Sequence, residues 1–198
     1  MSVPIHVRPA TVDDVPEIQA AEVAATERFR TIEDPRIARC ADAAPYWTAG
    51  LERASIEQRA WVAVDDRGSI IGFAVAWVVD GEGHLDELAV TPGYGRRGVG
   101  RALVEEVVAW TVAQGLASIT LTTFRDVPWN APYYEKLGFH VVSTLTPALQ
   151  ALVDEQDGIV ELVERDGAVV AGAPPNSDVH ESKLPAASFE AIAEFNGS

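Results

Sequence analysis

One cysteine, Cys40, and one methionine stand in a sequence of 198 residues. A lone thiol excludes an internal disulfide and a zinc site built from several thiolates, and it suits a reducing compartment. Basic residues are also scarce: 15 Lys and Arg face 30 Asp and Glu, a formal net charge of −15. Such an excess of carboxylate repels a polyphosphate backbone and an anionic bilayer, so nucleic acid and membrane are excluded as general partners. Cationic small molecules and basic peptides remain. No apolar run reaches the length of a membrane span, and the first residues lack the basic and apolar regions of a secretory signal, so a cytoplasmic protein is expected. There is no G-x-S-x-G elbow, and no Lys-Ser or Lys-Thr follows a glycine-rich loop, which removes the serine-hydrolase and Walker-type readings.

The composition that is present, 47% hydrophobic and 23% charged, is that of an ordinary globular protein large enough to bury a core without staples. One domain is expected over residues 1–170. From Ala171 the chain turns to Pro174-Pro175 and small polar residues, which predicts a flexible tail over 171–198, with Phe189, Ile192 and Phe195 at helical spacing inside it. The tail holds four carboxylates against Lys183, so most of the acidity belongs to the domain.

Along the domain the periodicity alternates. A strand over 5–8 leads to Thr11 and Asp14, spaced as a capping box before a helix reaching Phe29. A second helix is expected over 35–54. Apolar β-branched runs at 60–64 and 69–79, separated by Asp65-Asp66-Arg67-Gly68, then Asp80-Gly81 and a run from His84 to Val90, give a three-stranded antiparallel meander. Residues 98–114 carry Val99, Leu103, Val107 and Trp110 at helical spacing, and Gly115 stops them. A strand at 118–123 follows, so the strands on either side of this helix should be parallel. A short helix over 128–137 and strands at 139–142 and 159–163 complete the pattern.

The segment Val90-Thr-Pro-Gly-Tyr-Gly-Arg-Arg-Gly-Val-Gly-Arg101 sets four glycines and three arginines between a strand and a helix. Glycines let a backbone approach an anion, and a helix start adds unpaired N–H donors, so this loop is a candidate phosphate site. Gly93 to Gly98 also matches G-x-G-x-x-G, with Asp126 beyond the next strand, which keeps a Rossmann dinucleotide unit in view; three antiparallel strands before the motif count against it.

The loop Gly95-Arg96-Arg97-Gly98-Val99-Gly100 resembles the acyl-CoA motif Q/R-x-x-G-x-G/A of the GNAT superfamily of N-acetyltransferases, with Gly95 in place of the first Gln or Arg. Downstream, Tyr133-Tyr134-Glu135-Lys136-Leu137-Gly138-Phe139 resembles the family's F-Y-x-x-x-G-F signature. The resemblance implies a GNAT α/β (α+β) fold, with a mixed sheet of six to seven strands and about four helices. It implies acetyl transfer from acetyl-CoA, used as a co-substrate without a metal, to a primary amine in a ternary complex. It leaves a homodimer open. By the same resemblance Arg96, Arg97 and Arg101 with Gly95, Gly98, Val99 and Gly100 hold the phosphates, and Leu88, Ala89 and Val90 line pantetheine and polarise the thioester. Asn130 and Tyr133 contact the cofactor, and Tyr134 gives the proton to the thiolate.

For the base, His84-Leu85-Asp86-Glu87 resembles the strand that carries two histidines in one branch of the superfamily, here His84 and Asp86. Residues i and i+2 of a strand share a face, so the pair can relay a proton, while Glu87 on the opposite face is the alternative base. A metal at His84 and Asp86 lacks a third ligand. The acceptor site is expected from 27–51 and 143–158. Within it Phe29, Tyr46 and Trp47 read first as core, and Glu27, Glu33, Asp34 and Asp42 read first as solvated. The competing functional classes are an acyl-CoA sensor without turnover and, behind it, the dinucleotide-binding protein.

Overall fold

The computed structural model describes residues 5–154 and 160–166. The tail expected over 171–198 lies outside the described residues. Strand β1 (His6–Pro9) runs into Thr11, whose backbone N–H and hydroxyl donate to the Asp14 carboxylate at 2.7 and 2.9 Å. Arg8 donates twice to the same carboxylate, at 2.7 and 2.8 Å. This knot starts a tight turn at Val12–Asp14, from which α1 (Val15–Thr26) grows, and Glu27–Thr31 continues it as a tighter turn.

The single helix expected over 35–54 is instead two. α2 (Pro35–Ala38) is capped by the Asp34 carboxylate, which accepts from the Arg36 N–H at 2.9 Å. The chain then makes a turn at Arg39–Asp42, extends, and enters α3 (Thr48–Ile56). Pro45 is the reason: it has no amide hydrogen to give and pushes Ala44 out of the helical region.

β2 (Ala60–Val64) and β3 (Ile70–Val79) are buried at every residue, with Phe73 and Trp77 at 0% exposure. Continuous apolar runs belong to strands covered on both faces. Asp80 and Gly81, with φ of 50° and 79°, make the two-residue turn into β4 (Glu82–Val90), the left-handed pair that a type I′ hairpin requires. α4 (Val99–Ala113) and β5 (Ser118–Phe124) follow, then α5 (Ala131–Lys136), β6 (His140–Val141), α6 (Pro147–Asp154) and β7 (Val160–Asp166). Among the described residues six helices stand where about four were expected; the divided 35–54 segment and α6, inside the 143–158 stretch read as acceptor wall, make the difference.

The strands pair in the order β1-β2-β3-β4-β5-β7-β6. The β4 and β5 pairing is parallel, as the helical crossover required, and joins Gly83 to Ile119 and His84 to Thr120. The β1-β2, β2-β3, β5-β7 and β6-β7 pairings are antiparallel, which is not the doubly wound parallel sheet of a dinucleotide-binding unit. Two compact units divide the described residues. One holds 5–75 and 87–107, the other 76–86 and 108–166, and β3, β4 and α4 are continuous through both.

In the first unit α4 sits close to the sheet because position 72 has no side chain. A Cβ on Gly72 would stand 2.8 Å from the Ala89 carbonyl and 3.2 and 3.3 Å from Val99 and Leu103. In the second unit a Cβ on Gly83 would meet the Thr111 hydroxyl at 2.6 Å. No helix among the described residues is long and apolar enough to cross a membrane.

Candidate active site

The loop between β4 and α4 takes its shape from three left-handed residues, Gly93 (φ 88°), Arg96 (φ 60°) and Gly98 (φ 89°). Thr91 anchors its start, its N–H and hydroxyl both donating to the Ile71 carbonyl at 3.0 and 3.2 Å. At its end the Ala102 N–H donates to Gly98 at 2.9 Å, so the amides of Val99, Gly100 and Arg101 form the open first turn of α4. Arg96, Arg97 and Arg101 are exposed, and Gly95 borders open space. Left-handed residues in a glycine-rich loop that leads into an open helix start leave backbone N–H groups available, an arrangement suited to an anion. Arg97 stacks over the ring of Tyr94, 5.3 Å from its centroid.

On β4 the three candidate bases occupy different surroundings. His84 is 3% exposed, and burial pushes its imidazole down to about 4. Its Nδ1 lies 2.8 Å from the Thr120 hydroxyl, which donates to the Gly83 carbonyl at 3.2 Å. The Thr120 hydroxyl thus ties the imidazole to β5, and the tautomer decides which of the two donates. Desolvation, which disfavours the charged imidazole, is the cause of that lowering. Asp86, half-buried, accepts from the indole N–H of buried Trp77 at 3.1 Å. Glu87 is half-buried within the first unit, where its charge acts on the Cys40 thiol. Burial above all raises that thiol, with Arg39 opposing and Glu87 adding to it, which disfavours the thiolate at half-buried Cys40. Leu88 and Val90 are half-buried, and Ala89 is buried.

In the second unit, Asn130 starts α5: its carbonyl accepts from Tyr133 N–H at 2.8 Å and Tyr134 N–H at 3.3 Å, while its side-chain amide makes no cap. Tyr134 packs edge-on between Tyr133 and Phe139, with ring centroids at 5.3 and 5.6 Å. The Phe139 N–H returns to the Tyr134 carbonyl at 3.1 Å. The Tyr-Tyr-x-x-x-Gly-Phe signature thus builds one short helix whose closing Phe fixes the second tyrosine.

The acceptor segment divides as well. Tyr46 is core at 8% exposure, whereas Trp47 is 41% exposed. Its backbone is held from α1: Glu22 accepts the Tyr46 N–H at 2.7 Å and Gln19 donates to the Tyr46 carbonyl at 2.8 Å. Of its carboxylates, Glu27 and Asp42 share Arg30 at 2.9 and 2.7 Å, and Asp34 pairs with Arg36 at 2.7 Å. Sequence reasoning did not find Thr120, Gln19, Glu22 or the neighbourhood of Cys40 and Glu87, because each depends on residues far apart in the chain. Among the described residues no group of three or more His, Cys, Asp or Glu is arranged to hold a metal.

Residues 24–139 match the model of the Acetyltransferase (GNAT) family. A stretch of 73 residues is 36% identical to the ribosomal protein bS18-alanine N-acetyltransferase of Escherichia coli (strain K12), covering 37% of this chain and 49% of that protein. A stretch of 79 residues is 33% identical to the enzyme of that name from Salmonella typhimurium, covering 40% and 52%. The chain thus spans about half the length of the curated relatives it matches. Among solved structures, the PaiA N-acetyltransferase of Thermoplasma acidophilum in complex with coenzyme A aligns with a TM-score of 0.65 at 17% identity, over 82% of this chain and 99% of that one. The ribosomal-protein-S18-alanine N-acetyltransferase of Escherichia coli aligns with a TM-score of 0.59 at 20% identity, over 86% and 99%. With more than half of its length inside the family model and this fold around it, the chain belongs to the Acetyltransferase (GNAT) family.

Proposed function

We propose that this protein transfers an acetyl group from acetyl-CoA to a primary amine of a small molecule or peptide, by direct attack in a ternary complex. The observation that carries the reading is the loop between β4 and α4, where Gly93, Arg96 and Gly98 in left-handed conformations precede an open helix start flanked by three exposed arginines. These donors and cations fit a pyrophosphate, and the family match supports coenzyme A as its source. The thioester supplies an acyl carbon open to attack by nitrogen.

The chain's own groups supply the rest. Asp86, on the face of β4 that it shares with His84, takes the ammonium proton through water, and Glu87 on the opposite face is the alternative base; burial lowers the His84 imidazole and so favours the carboxylate as first acceptor. Backbone N–H groups of Leu88 to Val90 polarise the carbonyl as the new C–N bond forms. When the C–S bond breaks, Tyr134 gives its phenolic proton to the departing sulfur. Asn130, whose amide is not spent on capping, and Tyr133 contact the donor. The acceptor is cationic, drawn by the carboxylates Asp86 and Glu87 of β4. A cytoplasmic setting accords with the lone thiol.

The test is thiol release from acetyl-CoA across polyamines, aminoglycosides and peptides, including peptides that begin with alanine because of the relatives' names. Release matched by an acetylated amine is expected. Calorimetric CoA binding with no turnover on any amine turns the reading to a sensor, and no CoA binding overturns both.

A further inference from the structure

The loop that holds the three arginines has a partner outside the motif. Tyr94, half-buried, donates its hydroxyl to Asp65 Oδ2 at 2.9 Å, and Asp65 lies in the turn between β2 and β3, 29 positions earlier in the chain. The other oxygen of that carboxylate is engaged separately: Asp65 Oδ1 accepts from Arg67 N–H at 2.9 Å and Ser69 N–H at 3.0 Å. The Asp65 N–H also donates to Ser69 at 3.0 Å and the Gly68 N–H to Asp65 at 3.0 Å. One oxygen therefore builds a rigid turn and the other reaches across to the loop.

A carboxylate near an anion site opposes binding by its charge, so its placement calls for a structural reason. The reason is in the loop itself. Arg96 sits in a left-handed conformation that strains a residue with a Cβ, and such residues persist where the surroundings over-determine them. Gly95, where related motifs have Gln or Arg, contributes no side chain to hold the loop. Thr91 anchors the start of the loop, and Tyr94 restrains its middle, where the ring it presents carries Arg97 at 5.3 Å. The hydrogen bond to Asp65 pushes the phenol above its ordinary value, with Arg97 and Arg67 pulling the other way, so Tyr94 stays a donor at neutral pH.

We infer that the β2-β3 turn is a positioning device for the donor's phosphates: Asp65 latches Tyr94, and Tyr94 holds the loop and the Arg97 guanidinium in binding order before the ligand arrives. Asp65 and Tyr94 are positioning residues, and the inference rests on the proposed role of the loop. Preorganisation of this kind reduces the ordering cost of binding and leaves the chemical step alone.

The test is Tyr94→Phe, which removes the hydroxyl and leaves the ring under Arg97, with Tyr94→Leu removing both. Calorimetry with CoA should show Kd rising about 3- to 10-fold for Phe and further for Leu, the range of one ordinary net hydrogen bond. KM for acetyl-CoA should rise in parallel while kcat at saturating donor stays within about two-fold, and acetyl-pantetheine, which lacks the phosphates, should respond equally to wild type and variants. Asp65→Asn, which keeps an oxygen for the turn, should fall between wild type and Tyr94→Leu. An unchanged Kd for CoA, or an equal loss for CoA and acetyl-pantetheine, overturns the latch. If wild type does not bind CoA at all, the proposed function fails instead.

Discussion

Arg96 carries the clearest sign of a built site at the scale of single residues. A left-handed conformation costs a residue with a Cβ roughly 1–2 kcal/mol, so the backbone there is arranged for a purpose other than stability. Gly95 beside it is different: its φ lies outside the left-handed region, and a Cβ there would meet nothing within 4 Å. The site therefore has room for the cation that the related motif carries. Gly95→Arg is expected to tighten CoA binding about 3- to 10-fold by adding a charge-assisted contact, and an equal or weaker calorimetric Kd would refute that. Tyr134, fixed edge-on between Tyr133 and Phe139, is expected to act only after binding. Tyr134→Phe should lower kcat about 10- to 100-fold at unchanged CoA affinity, and unchanged turnover would remove it as the acid.

At the scale of elements, α4 does two jobs. Val99 and Leu103 bury its apolar stripe at 1% and 0% exposure, and its first turn offers the amides that face the loop. The seating depends on Gly72, because a Cβ there would lie 2.8 Å from a backbone oxygen that has nowhere to move. Gly72→Ala is expected to cost about 1–3 kcal/mol, read as a Tm lowered by several degrees, and to weaken CoA binding together with it. A variant with wild-type Tm would show that the sheet yields more easily than this packing implies. α1 plays the corresponding part for the segment 27–51: Gln19 and Glu22 grip the carbonyl and the N–H of Tyr46, which sets where Trp47 emerges.

For the whole molecule, two carboxylates give stability opposite dependences on pH. The Arg8 hydrogen bonds above all hold Asp14 down to about 2 from 3.8, so its contribution is complete above the unfolded value and is lost as pH falls toward the folded one. Burial pushes Glu22 up to about 7 from 4.5, against the Tyr46 N–H that favours its charged form. Between those values the unfolded chain has released a proton that the folded chain retains, so stability falls as pH rises through that window. Glu22→Gln keeps an acceptor for Tyr46 without the charge. Its Tm should change less than that of wild type between about pH 5 and about pH 8, and a parallel decline would assign the effect elsewhere. The net charge of −15 is also unevenly spent: Glu27, Asp34 and Asp42 pair with neighbouring arginines, whereas Arg96, Arg97 and Arg101 stand exposed without a carboxylate between them in sequence. The sequence by itself determined the strands, the parallel crossover, the glycine-arginine loop before α4 and the aromatic signature, because period, glycine placement and local charge act over a few neighbours. Only the tertiary structure decided that His84 is buried against Thr120, that Glu22 meets the Tyr46 backbone, and that Asp65 meets Tyr94. Desolvation and hydrogen bonding between distant segments depend on which surfaces the completed fold brings together.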